Sequence, residues 1–227
     1  MAAKICVSIG AQEIASLLPQ ANRAFRLGAD YIEIRFDFLK AESLETALDA
    51  VAGLKDRMIF TLRSQNDGGI FTGSEDDRLQ WLRRLAEQKP MLLDVELDTL
   101  RRNDDLADFM EKERIRLLVS WHDFEKTPPN DVIVEVLSEM RRYSNYVKIV
   151  TKAETIEDAL RILDLYDDID IGLHPILFAM GQAGVISRIL CTIAGNAPFT
   201  YASLDRVIAP GQLSIQQLKK LYDRMKL

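Results

Sequence analysis

The sequence predicts an α/β protein built as one (β/α)8 barrel, and three observations lead there. Short β-rich runs alternate with longer amphipathic runs from end to end, and there are eight of each. The turn after the first run, Ser8-Ile9-Gly10-Ala11-Gln12, lacks the glycine spacing of a dinucleotide site. Strict alternation implies parallel strands with right-handed crossovers, and eight such units close into a barrel. The rival, an open doubly wound sheet, usually carries a glycine-rich phosphate turn after its first strand. A length of 227 residues suits one barrel and would cramp two domains, so a single domain is expected over 1–227.

Taken in order, Lys4–Ile9 reads as the first strand and 12–27 as the first helix, with Glu13 at its start and Gly28 just past its end. Tyr31–Phe36 is the second strand, and 43–54 is a helix led by Ser43 with an acid in its first turn. Met58–Leu62 with 75–88, and Met91–Leu97 with 101–113, form the third and fourth units. Arg116–Ser120 with 130–142, and Tyr146–Val150 with 154–166, form the fifth and sixth. Pro175–Ala179 with 184–195, and Phe199–Ala202 with 214–226, complete the count.

Composition narrows the class. With 48% hydrophobic and 28% charged residues the chain can build a sizeable core. A net charge of -6 leaves no electrostatic footprint for nucleic acid or anionic lipid. Arg83-Arg84 and Arg141-Arg142 are short pairs mixed with acids, and read as solvated helix faces. The Met-Ala-Ala-Lys start runs straight into a strand without a signal-peptide core, and no apolar stretch reaches the ~20 residues of a membrane span. Cys6 and Cys191 lie far apart in apolar segments, which suggests buried reduced thiols and a cytoplasmic location.

The informative residues are charges placed on buried strands, where each costs several kcal/mol (about 2–7 for an unpaired polar group) unless paired or functional. Glu33 and Arg35 stand two apart on the second strand and therefore share a face. Thr61 and Arg63 repeat the spacing at the third strand, and Asp94 and Glu96 on the fourth. The fifth leads through Ser120 to His122, and the sixth carries Lys148 in an otherwise apolar run. One such residue has a structural explanation, such as an internal ion pair. Charges on five consecutive strands, near the C-terminal rim where barrel enzymes build their sites, read as a site.

Lys148 is the sharpest signal. A lysine among apolar neighbours has its ammonium form disfavoured, and a neutral amine is what Schiff-base chemistry with a carbonyl needs. Of the two histidines, His122 falls at the C-terminal end of strand five, beside the strand of Lys148, and is the candidate general acid and base. His174 starts strand seven at the opposite rim, where a structural role is expected. Two separated histidines make no convincing zinc site, and the likelier task of Asp94 and Glu96 is to orient neighbouring groups rather than to hold Mg²⁺. Arg35, Arg63 and Arg188 are expected to converge on one rim and to favour a carboxylate-bearing substrate. Met180-Gly181-Gln182-Ala183-Gly184 turns the chain so that Ser187 and Arg188 open a helix, whose N–H groups add to the anion site. Ala209-Pro210-Gly211-Gln212 reads as a lid that carries an amide to the substrate.

Seven segments resemble, in order, those of type I 3-dehydroquinate dehydratases, the Schiff-base enzymes of the shikimate pathway. They are Glu33-Ile-Arg35-Phe-Asp37, Thr61-Leu-Arg63-Ser64 before Gly68-Gly69, Asp94-Val-Glu96, Ser120-Trp-His122-Asp123-Phe124 before Thr127-Pro128, Val147-Lys148-Ile149, Met180-Gly181-x-x-Gly184-x-x-Ser187-Arg188, and Ala209-Pro210-Gly211-Gln212. The resemblance implies a catalytic TIM barrel that needs no metal or redox cofactor. It implies that Lys148 condenses with the C3 ketone of 3-dehydroquinate, and that His122 removes the C2 proton and protonates the departing C1 hydroxyl. Glu33, Arg35 and Arg63 would hold ring hydroxyls, with Arg35 or Glu33 helping to poise His122. Arg188 and Gln212 would grip the carboxylate, Ser8 would add a hydrogen bond, and Asp94 would support His122. The small-molecule substrate is the expected partner, and a homodimer is in keeping with the family. Two departures from the resemblance stand out: Asp67 stands where the longer Glu is usual, and Ile208 stands where a Ser or Thr is expected, so that one carboxylate hydrogen bond is either missing or supplied by another group such as Ser203. Two rivals share features of the pattern. A class I aldolase would have the lysine without the His122 motif, and a non-catalytic sensor of quinate-type ligands would have lost the lysine or the histidine.

Overall fold

The computed structural model describes residues 3–170 and 172–225. Eight parallel strands are present: β1 (Ile5–Ile9), β2 (Tyr31–Arg35), β3 (Met58–Thr61), β4 (Leu92–Glu96), β5 (Leu117–His122), β6 (Tyr146–Lys152), β7 (His174–Met180) and β8 (Thr200–Ser203). They form one sheet in the order β7-β6-β5-β4-β3-β2-β1-β8. The sheet curls until Phe178 of β7 meets Tyr201 of β8, ring centroids 6.2 Å apart, which nearly closes the barrel.

Alternation along each strand sorts the residues into two apolar layers. Val7, Ile32, Ile34, Phe60, Leu93, Val95, Val119, Val147 and Ile149 point outward and are buried beneath the helices. Cys6, Ile59, Leu92, Leu118, Ile176 and Phe178 point inward and fill the lower barrel. Each such large aliphatic side chain contributes roughly 1.5–3 kcal/mol on burial. The polar residues singled out above fall in the inward set above this plug, because their strand positions have the same parity. Register aligns them across strands: Ser8 pairs with Glu33, Arg35 with Thr61, Thr61 with Asp94, Glu96 with Ser120, and Ser120 with Lys148.

Nine α-helices are described: α1 (Ile14–Arg26), α2 (Leu44–Val51), α3 (Glu75–Glu87), α4 (Leu97–Arg102), α5 (Asp104–Lys112), α6 (Asn130–Met140), α7 (Ile156–Asp164), α8 (Val185–Leu190) and α9 (Ile215–Met225). Capping boxes at Ser74/Asp77 and Thr155/Asp158 fix the starts of α3 and α7. Gly28 lies past α1 with φ of 93°, as its place in the sequence suggests.

Several boundaries differ from expectation. The 101–113 segment is two helices, because Asn103 (φ -137°) breaks the run, and α4 begins at Leu97 with no loop after β4. Strands β5 and β6 extend further toward the C-terminal rim than their apolar runs suggest, since ladder bonds tolerate the polar residues there, and β7 gains His174 at its start and Met180 at its end. Helix α8 covers only part of 184–195, and the first turn of α1 holds no acid because Glu13 is its N-cap. Ser43 caps α2 without a side-chain bond. The final residue of the expected 214–226 helix lies outside the described residues.

Candidate active site

A cavity of about 220 Å³ opens at the C-terminal ends of the strands. Ser8, Glu33, Arg35, Arg63, His122, Lys148, Arg188 and Gln212 all line it. Asp94 does not reach the cavity; it lies beneath Lys148, wholly buried. His174 is at the other end of the barrel, stacked on Tyr146 with centroids 4.5 Å apart.

The surroundings of Lys148 correct the apolar setting read from the sequence. Its chain neighbours Val147 and Ile149 point outward to the helices, so what the side chain meets comes from other strands. Its Nζ donates to Asp94 Oδ2 at 2.7 Å, lies 3.9 Å from Glu33 Oε1, and sits 4.9 Å from the Tyr201 ring centre. It is on an interior strand, between β5 and β7, which rules out a snorkelling edge lysine.

Asp94 is the hub of a buried polar cluster. It accepts from Lys148, from Arg63 Nη2 at 2.9 Å and from the Ser120 hydroxyl at 2.7 Å. Burial alone would raise its carboxyl, but Arg63 and then Lys148 hold it well below the usual carboxylate range. Arg63 also donates to Ser120 Oγ at 2.6 Å and to Glu96 Oε1 at 3.4 Å. Glu33 accepts from Thr61 Oγ1 at 3.0 Å.

His122 is held differently from expectation. None of Asp94, Glu33 or Arg35 bonds to it. Asp94 is taken by Lys148, Arg63 and Ser120, while Arg35 makes a two-pronged pair with Asp37 at 2.8 and 2.7 Å. The nearest carboxylate is Asp67 Oδ1, 3.6 Å from Nδ1, and among the described residues Nδ1 has no hydrogen-bond partner. The imidazole stacks on Phe124, with centroids 5.7 Å apart. Burial, reinforced by Arg63 and Lys148, pushes its pKa well below the ordinary histidine value, which favours the uncharged imidazole.

Arg188 is buried with few bonds inside the fold. Its guanidinium is buried over the Phe178 ring, 4.2 Å from the centroid, and bonds only weakly to the Pro210 carbonyl at 3.4 Å. Nε has no partner among the described residues, no carboxylate neutralises it, and burial brings its pKa down to about 10. Helix α8 has only six residues, and the Ser187 hydroxyl is engaged internally, accepting from the Ala179 amide and donating to the Gly184 carbonyl. Gln212 accepts from the Ile208 amide through Oε1, which leaves its NH₂ for a ligand. Ser203 does not stand in for the hydroxyl absent at Ile208, because its Oγ turns to the Leu213 carbonyl and away from the cavity.

A sequence model of the type I 3-dehydroquinase family matches residues 5–227. The chain belongs to that family. It is 35% identical over 225 residues to the 3-dehydroquinate dehydratase of Thermococcus gammatolerans, covering 97% of both chains. It is 31% identical to that of Methanopyrus kandleri, covering 96% of this chain and 98% of the relative. The type I 3-dehydroquinate dehydratase of Clostridium difficile, solved with covalently modified comenic acid, superposes with a TM-score of 0.87 at 27% identity, covering 99% of this chain and 92% of that one. The enzyme of Aquifex aeolicus gives 0.78 at 30% identity, covering 97% and 98%.

As a type I 3-dehydroquinase the protein is a lyase of the shikimate pathway, and the aldolase and sensor alternatives fall away. Its barrel also recruits side chains that sequence reasoning passed over. Tyr201 lines the cavity, and its only signal was a shared face with Ser203 on β8. Phe178 and Met180 line it too, indistinguishable in sequence from core residues. Asp37, bonded to Arg35 and to the Ile70 amide at 3.2 Å, was visible only as part of a motif. Among the described residues no three His, Cys, Asp or Glu side chains form a metal cage, and no helix is long and apolar enough to cross a membrane.

Proposed function

We propose that Lys148 forms the Schiff base and His122 moves the protons in the dehydration of 3-dehydroquinate. The observation that carries this reading is one cavity lined by a primary amine, a neutral imidazole and a guanidinium without a carboxylate. Lys148 passes one proton to His122 and its amine adds to the C3 ketone; His122 returns that proton to the carbinolamine hydroxyl, which leaves as water to give an iminium. That cation withdraws electrons from C2, and His122 takes the C2 proton to leave an enamine. The enamine pushes out the C1 hydroxyl, which leaves as water with the proton held by His122. Hydrolysis of the conjugated iminium takes up one water, offsetting the one released on condensation, and it regenerates Lys148 and releases 3-dehydroshikimate. One water is lost in total.

The other residues bind and orient. Arg188 supplies the missing countercharge to the substrate carboxylate, with Gln212 alongside, and a guanidinium already stripped of water makes that bond strong. Arg35, whose Nη1 is left over by Asp37, joins Glu33, Arg63 and Ser8 around the ring hydroxyls. Asp94 holds Lys148 toward the substrate. A covalently modified acid in the Clostridium difficile relative supports covalent chemistry in this site. The two cysteines, free and buried, support a cytoplasmic location.

The test is trapping. The protein is incubated with 3-dehydroquinate, reduced with borohydride and digested for peptide mass spectrometry. An adduct on Lys148 is expected, absent in Lys148→Met. An adduct on another lysine, or turnover undiminished in Lys148→Met or His122→Asn, would refute the assignment.

A further inference from the structure

Arg78 lies on α3, outside the catalytic cavity, yet it is one of the largest fully buried side chains in the protein. In sequence it looks like half of an ordinary i,i+3 surface pair with Glu75. In the structure Glu75 takes only one edge of the guanidinium, at 2.8 and 2.7 Å. The remaining N–H groups turn inward. Nη1 donates to the Leu62 carbonyl at 3.2 Å and to Glu96 Oε2 at 3.0 Å, and Nη2 donates to Thr99 Oγ1 at 2.7 Å. Thr99 in turn donates to the same Glu96 Oε2 at 3.1 Å.

Glu96 divides its two oxygens between two neighbourhoods. Oε2 faces the helices and is held by Arg78 and Thr99; Oε1 faces the site, where it accepts from the Ser64 amide at 3.0 Å and from Arg63 at 3.4 Å. A carboxylate is planar and rigid, so whatever fixes one oxygen fixes the other. The Ser64 amide opens the loop that presents Asp67 to His122, and Arg63 is the group that bonds Asp94 beside Lys148. A line of alternating charge, Arg78–Glu96–Arg63–Asp94–Lys148, thus runs from a helix to the reacting amine.

We propose that Arg78 is a positioning residue for the dehydration: by orienting Glu96 it sets the Arg63 guanidinium and the Asp67 loop, and through them the Lys148–His122 geometry. This rests on the Lys148 and His122 roles above. A misplacement of order 1 Å at reacting groups costs up to about 10²-fold in rate. Removing Arg78 while keeping the fold therefore lowers kcat about 10- to 100-fold, with a smaller effect on KM because Arg188 and Gln212 are untouched. It also leaves the Glu96 charge less balanced. His122 is faced by Arg63 and Asp67 from β3 and its loop, Asp94 and Glu96 from β4, Lys148 from β6, and Glu33 and Arg35 across the cavity. Strengthening the negative member of that set favours imidazolium, so the acid limb of the kcat profile moves to higher pH.

The experiment compares Arg78→Gln, Arg78→Lys and Thr99→Val with the parent protein. Thermal unfolding, kcat, KM, the pH profile and borohydride trapping are read for each. Expected are a folded Arg78→Gln with the stated fall in kcat and upward shift of the acid limb, and partial recovery in Arg78→Lys, which can still reach Glu96. Thr99→Val, nearly the same shape but unable to bond Glu96 Oε2, shows a smaller loss of the same kind even if Arg78→Gln does not fold. Wild-type kcat and pH profile in folded Arg78→Gln, or in Thr99→Val when Arg78→Gln does not fold, overturn the proposal. A loss that tracks only the unfolded fraction does the same. Absence of the Lys148 adduct in the parent protein marks failure of the mechanism instead.

Discussion

Replacing Arg188 by Met separates what the fold wants from what the substrate wants. The side chain is 2% exposed, and among the described residues no carboxylate neutralises it. Burial carries its pKa from the ordinary arginine value down to about 10. At about 1.4 kcal/mol per pH unit, that displacement amounts to about 3 kcal/mol of destabilisation. Because the folded value lies below the unfolded one, the charge destabilises the fold at every pH below about 10, and the penalty fades only as pH rises from there toward the ordinary arginine value. Met removes the charge but keeps much of the volume. It also forfeits the bond to Pro210 and the stacking on Phe178, together about 1–2 kcal/mol. The ligand-free variant is therefore expected to be more stable by about 1–2 kcal/mol at pH 7, which for a chain of this size raises Tm by about 2–4 °C per kcal/mol. The same change removes a charge-assisted bond to the substrate carboxylate and lowers kcat/KM by about 10- to 100-fold, mostly through KM. Calorimetry without ligand and turnover followed by the enone absorbance of the product read the two effects. A variant with lower Tm, or with an unchanged KM, refutes the reasoning that this arginine is a preformed carboxylate seat.

Two further outcomes follow from the same geometry. His122 is kept neutral by burial, so the acid limb of kcat/KM should fall well below pH 6.5, and Asp67→Asn, which removes the nearest negative charge, should move it lower still; a limb at or above pH 6.5 argues against the buried neutral base. Gly211 has φ of 75°, and an added Cβ would stand 2.4 Å from the Gly181 carbonyl oxygen, so Gly211→Ala should cost about 1–3 kcal/mol and raise KM by displacing Pro210 and Gln212. Denaturant unfolding and steady-state kinetics check both halves, and a variant at wild-type stability would show that the 209–212 turn is not held against β7.

Much of the architecture was legible because it depends on local pattern. Alternation of strand and helix periods is written in consecutive residues, and parity along a strand decides which side chains share a face. Glu33 and Arg35, or Asp94 and Glu96, could therefore be assigned to one wall of the barrel from spacing alone. Boundaries were less legible where tertiary ladders override propensity, as at Ser120-Trp121-His122, which the sheet carries on as strand.

Partnership was another matter. By itself the sequence determined the eight-unit barrel and the inward set of polar residues, and it singled out Lys148 and His122 as candidates. Only the tertiary structure decided that Asp94 bonds Lys148 and not His122, that Arg35 is spoken for by Asp37, that Arg188 is left without a countercharge among the described residues, and that Arg78 reaches the site through Glu96. The reason is physical: parity constrains direction within a strand, but hydrogen bonds are made at about 3 Å between residues tens of positions apart, and those distances are set by register, barrel curvature and side-chain length, none of which a linear pattern encodes.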